Sequence, residues 1–106
     1  MQILNELEAK LIEAVPEDPL YEDGFDSVMW IDDFLATAEQ STGINPKQAK
    51  VILVNLEQKN YIGIHGGAEG TFWLEDYGRE YLAQKGLVDE EEGYKITDST
   101  KGKRVE

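Results

Sequence analysis

Chemistry at a protein surface begins with a nucleophile beside a base, a convergent set of metal ligands, or two carboxylates facing one cleft. This chain has a single histidine, His65, and no cysteine, which excludes thiol nucleophiles, disulfides and thiolate zinc sites. His65 lies beside two glycines in GIHGGAEG, the setting of an exposed residue at a turn. That stretch lacks the Lys-Ser/Thr ending and the strand-to-helix context with which a glycine-rich loop cradles phosphate. Asp32 with Asp33, and Asp89 with Glu90, Glu91 and Glu92, could hold a hard cation loosely. Neither run has the alternating spacing of a calcium loop, and solvated acid is the stronger reading. Trp30, Trp73, Tyr61, Tyr77 and Tyr81 would stack bases only beside a basic groove, so core and hairpin packing is expected of them. The residues offer no catalytic set: the expectation is no enzyme, no cofactor and no metal.

What remains is binding, where charge decides the class of partner. Ten Lys and Arg stand against 22 Asp and Glu, a net −12, which repels nucleic-acid phosphates and anionic membranes and excludes a general nucleic-acid coat protein. Residues 1–43 hold eleven acids and one base, Lys10, whereas residues 44–60 hold Lys47, Lys50 and Lys59 against Glu57 and are the one net-basic segment. A local basic cluster can still act on an acidic body, because charges are screened beyond about 8 Å at physiological salt. The solvated helix face is the plainer alternative. No apolar run is long enough to span a membrane. Acids stand where a signal peptide needs bases, so a cytoplasmic protein without membrane partners is expected.

The 106 residues, 41% of them hydrophobic, suit one domain with a core of its own. Ile3, Leu4, Leu7, Leu11, Ile12 and Val15 recur at helical spacing until Pro16, which predicts a first helix to about Val15. PEDPLYEDGFD reads as a loop anchored by Leu20, Tyr21 and Phe25. Val28, Met29 and Trp30 predict a short strand, after which Asp32 or Asp33 caps a helix carrying Phe34, Leu35 and Ala38 and ending at Gly43. Asn45 before Pro46 starts a third helix running to about Lys59, with Asn60 as a left-handed stop. Tyr61 to His65 and Thr71 to Glu75 predict a β-hairpin around GGAEG, and Tyr77, Tyr81 and Leu82 a fourth helix from about Asp76 to Lys85. Residues 1–86 form the expected domain; residues 87–106 form a mixed-charge tail, either loosely docked or disordered, or a second short hairpin.

Helix, strand, helix, turn, helix, hairpin is the order of a winged helix-turn-helix. The stretch WIDDFLATAEQSTGINPKQAKVILVNLEQKNYI resembles the helix-turn-helix of bacterial winged-helix regulators of the MarR and PadR kind. FWLEDYGREYL is similar to their wing strand and following helix, and YEDGFDSVMW to small winged-helix proteins of phages and other mobile elements. The resemblance covers roughly residues 28 to 86. It implies an α+β fold, a three-helix core with a hairpin wing and a fourth helix, and dimerisation through the first or fourth helix is common in such a family.

The resemblance also implies that the third helix enters the major groove of DNA. At 100° per residue, Ala49, Ile52, Leu53 and Leu56 share one side of that helix, while Lys47, Val51, Val54 and Gln58 lie nearly opposite. Valines stand where the family places Arg or Lys, leaving Asn45, Lys47, Gln48, Lys50 and, from the hairpin, His65 as DNA contacts. Lys47, Lys50, Lys59 and Arg79 would neutralise four phosphates at most. Two functions follow. The first is a nucleic-acid-binding transcriptional regulator with weak non-specific affinity for double-stranded DNA. The alternative is an acidic interaction module, such as a phage-type inhibitor imitating DNA on a basic protein site, with Val51, Val54 and Gln58 as its anchors. Burial of the two valines under the chain's own tail or loops is the competing structural reading.

Overall fold

The first helix begins at a capping box that apolar spacing alone does not reveal. In the computed structural model, which describes residues 3–96, the Asn5 side chain accepts from the Glu8 amide at 2.8 Å and Glu8 Oε1 accepts from the Asn5 amide at 2.9 Å. Two otherwise orphaned donors are thereby satisfied, and α1 runs Glu6–Glu13. The expected stripe is corrected at its start: Ile3 is 90% exposed and lies outside the helix, whereas Leu11, Ile12 and Val15 are buried. Pro16 sits in a 3₁₀ turn, Val15–Glu17, and a second such turn, Gly24–Asp26, leads to β1 (Met29–Trp30).

The following elements are α2 (Ile31–Thr42), α3 (Pro46–Gln58), β2 (Ile62–His65), a 3₁₀ turn Gly67–Glu69, β3 (Thr71–Leu74) and α4 (Asp76–Gln84). The expected α+β class is observed, with four helices and a three-stranded antiparallel sheet ordered β1-β3-β2. The expected cap of α2 is corrected. Trp30 occupies the N-cap position without a side-chain bond, and Asp32 and Asp33 fall in the first turn, where they act on the helix dipole instead. Gly43 ends α2 at φ 77°, and Asn60 takes φ 68° after α3, both as expected.

Register decides which sheet face is inside. Phe72 pairs with both Met29 and Ile64, and Leu74 with Ile62, so these side chains share the face that packs on the helices. Phe72 meets the Phe34 ring at 4.9 Å, and Leu35, Leu53, Leu56 and Leu82 complete the core. Thr71 pairs with Trp30 and His65, and Trp73 with Gly63, which puts both tryptophans on the opposite face. Gly66 and Gly67 turn the hairpin at φ 88° and 72°, conformations that side chains resist.

Residues 87–96 pack on the body. Val88 is 1% exposed and bridges to Lys95, and the Phe25 amide donates to the Glu92 carbonyl at 2.7 Å. The Tyr21 hydroxyl donates to the Gly93 carbonyl at 2.5 Å. Within the turn, Asp89 accepts from the amides of Glu91, Glu92, Gly93 and Tyr94. Residues 97–106 of the expected tail lie outside the described residues.

Candidate functional site

The face of α3 that turns away from the core is built by one cap and one apolar stripe. Asn45 Oδ1 accepts from the Gln48 amide at 2.9 Å, which fixes the helix start and commits the Asn45 side chain to the chain itself. Ala49, Ile52, Leu53 and Leu56 are buried. The opposite positions, Lys47, Val51, Val54 and Gln58, are all exposed, as the helical wheel places them. Val51 is 61% and Val54 41% exposed, so no part of the described chain covers them. Gln48 is exposed beside Lys47, and His65 is exposed at the end of β2.

Of the four bases counted as the upper bound for phosphate contact, two are engaged within the chain. Lys59 reaches back to Glu8 Oε1 at 2.7 Å and to the Ile3 carbonyl at 3.2 Å. Glu8 is 2% exposed and the Lys59 side chain 22%, an ion pair that ties α1 to the end of α3. The Arg79 guanidinium donates to the carbonyls of Leu74 and Phe25 and lies 5.4 Å from the Phe25 ring centre. Both bases are committed to partners within the chain, although Arg79 also borders two concavities. Lys50, about a third exposed, approaches the more exposed Asp32 at 3.6 Å, a long surface contact worth about 0–1 kcal/mol. Lys47 has no side-chain partner among the described residues. The free positive charge of this face is therefore Lys47 plus a loosely held Lys50.

Val54 lines one concavity, which shares Glu57 with a second. Between α3 and the hairpin is a mostly apolar groove of about 100 Å³ lined by Ile31, Leu53, Val54, Ile64 and Gly67 together with Lys50 and Glu57. Glu57 also borders a wider cleft of about 710 Å³, whose other walls include Asn60, Gly63, Glu75, Asp76 and Tyr77. A Cβ on Gly63 would come within 2.6 Å of the Trp73 indole, so glycine lets that ring lie across β2. The Trp73 indole N–H then donates to Glu75 Oε2 at 2.8 Å.

Aromatic packing holds for Tyr61, 2% exposed and in edge contact with Tyr77 and Tyr81, but not for Trp30. Trp30 and Val28 are 56% and 53% exposed, an outward patch that the apolar run Val28–Met29–Trp30 did not distinguish from core. Ile64, Glu57, Glu75 and Asp76 were likewise not singled out, because their meeting depends on how the hairpin lies against α3. Among the described residues, no three His, Asp or Glu side chains are arranged to hold a metal ion, and no helix is long and apolar enough to cross a membrane.

Several acids of the first 43 residues are also engaged. Glu13 accepts from the Tyr81 hydroxyl at 2.6 Å, Glu17 pairs with Lys95 at 2.8 Å, and Asp18 is buried. Glu6, Glu22, Asp23, Asp26, Asp33 and Glu39 remain exposed. Comparison with protein-family models, with curated proteins and with solved structures gives no match, so the site speaks through its own residues.

Proposed function

We propose that this chain is a non-enzymatic winged-helix binding module that engages a protein partner through the exposed face of α3 and the hairpin. The order α1-β1-α2-α3-β2-β3-α4, with β1 beside β3 at the sheet edge, supports the winged-helix reading together with the residues of the helix-turn-helix. One observation carries the choice of a protein partner: Val51 and Val54, 61% and 41% exposed, form the centre of the face that would meet DNA. Valine gives no bidentate contact to guanine and releases no counterion, whereas adjoining exposed apolar side chains are what protein interfaces bury. Lys59 and Arg79 are already bonded within the molecule, so turning either toward phosphate costs those bonds.

A photo-crosslinking residue at position 51, in cells that produce the protein, should capture a discrete protein, and Val54→Asp should abolish the capture. Saturable binding of a short DNA duplex at low ionic strength, with amide shifts confined to residues 45–51 and the hairpin, would reverse the assignment.

The second reading, a transcriptional regulator, is favoured by the exposed Lys47 and Gln48 at the start of α3, where winged-helix proteins touch DNA. Under it, Lys47→Glu with Lys50→Glu abolishes binding, while under the protein-binding reading Val51→Asp does so.

A further inference from the structure

Resting on the protein-binding reading, the geometry points to a two-part docking site for an arginine-bearing amphipathic segment of the partner. The groove between α3 and the hairpin takes an apolar side chain, and the adjoining cleft takes a guanidinium. The two compartments share Glu57, which stands between the apolar walls Leu53, Val54 and Ile64 and the carboxylates Glu75 and Asp76. About 100 Å³ in the groove suits one branched aliphatic side chain.

Charge selects what lies next to it. None of the residues bordering the cleft is a base, and three are acids. Lys59, close in sequence, is turned away to Glu8. Three carboxylates bordering one hollow disfavour phosphate and favour a cation. Guanidinium fits better than ammonium, because its planar fork can engage two carboxylates at once and can rest on an aromatic ring such as Tyr77. Val54 and Gln58, at the two compartments, are one helical turn apart, a rise of about 6 Å. A partner matches that spacing with residues at i and i+2 of an extended segment or i and i+4 of a helix. A second copy of this chain is disfavoured as occupant, since each copy carries −12.

The probes are short capped peptides with Leu and Arg at i,i+2 or i,i+4, titrated into the isotope-labelled full chain. In the control peptides, citrulline replaces Arg or Ser replaces Leu. At least one Leu/Arg peptide should give saturable amide shifts in both compartments, at Leu53, Val54 and Ile64 and at Gly63, Glu75 and Asp76. Citrulline should weaken that binding by about tenfold, the loss of a charge-assisted pair. Glu57→Gln with Asp76→Asn should cost a similar factor with the Arg peptide and almost none with the citrulline peptide.

Equal affinity for Arg and citrulline, shifts in one compartment only, or an equal effect of the double substitution on both peptides would overturn the two-part site. Unchanged amide positions elsewhere in the double variant show that it is folded. If crosslinking from position 51 captures a protein while these couplings are absent, the docking chemistry fails and the protein-binding reading stands. If crosslinking also yields nothing and duplex DNA shifts residues 45–51, both fall.

Discussion

Two carboxylates illustrate how the same group can support or burden a fold. Glu8 is 2% exposed and holds both the Asn5 amide and Lys59. Glu8→Ala leaves a partly buried ammonium unpaired and should cost about 3 kcal/mol, the lower end for breaking a buried pair because Lys59 keeps some solvent; chemical denaturation measures it. Glu8 and Lys59 together should be replaceable by apolar residues at far smaller cost.

Asp18 is the opposite case. Its Oδ1 accepts from the Leu20 amide at 2.8 Å while its buried Oδ2 has no partner. Burial raises its pKa, against the Leu20 amide and with some help from Asp33. An acid raised on folding costs stability as pH climbs through the raised value, and costs nothing below the unfolded value of 3.8. Asp18→Asn should therefore raise the melting temperature at pH 7 and leave it unchanged near pH 3. Equal shifts at both pH values would refute this account. The apolar spacing of the first helix does not mark the Asn5–Glu8 capping box, and neither the ion pair nor the orphaned oxygen is legible in the sequence, since each depends on a partner or a burial set by distant packing.

Elements were readable where one helix or hairpin decides its own form. The wheel of α3, the Asn45 cap, the Gly66–Gly67 turn and the stops at Gly43 and Asn60 stand as the sequence implies. The start of α2 did not, because the β1 strand runs straight into the helix and the Ile31 amide is taken by the Gly70 carbonyl at 3.0 Å. The packing of residues 87–96 was also hidden, since it joins Tyr21 to Gly93 across 72 positions.

Asp89 is the hub of that segment. Burial by itself would raise its pKa, but the four amides it accepts outweigh this and hold it below the ordinary carboxylate value. Its contribution is thus present above the unfolded value and is lost as pH falls through the depressed one. Asp89→Ala should release the segment locally, at about 1–3 kcal/mol. Hydrogen exchange should then accelerate at the amides of Phe25 and Ile96, which bond Glu92 and Leu87, but not in α3. Unchanged exchange at Phe25 would show that Asp89 is not what holds the segment.

At the scale of the molecule, net charge was legible and its disposition was not. Counting gave four bases for a phosphate backbone; packing leaves Lys47 and Lys50. Any residual binding to duplex DNA should thus have a log–log salt slope near −2, falling to about −1 in Lys47→Gln, as read by anisotropy over a salt series. A slope of about −3 would mean that Lys59 or Arg79 swings outward, and one of about −3.6 that both do and that their internal bonds are dispensable. The acid surplus has a similar correction: Glu8, Glu13, Glu17 and Asp18 are engaged within the fold, which thins any imitation of a phosphate lattice by the first 43 residues.

The two outward indoles give the molecule a pair of intrinsic optical reporters. Trp30, more than half exposed, stands in water, whereas Trp73 is half-buried over Gly63 with its N–H bonded to Glu75. Acrylamide should quench the redder Trp30 emission first. A cation entering the cleft perturbs Glu75 and hence the Trp73 band, so with Trp30→Phe as background, occupancy of that cleft becomes visible in the near ultraviolet without any attached dye.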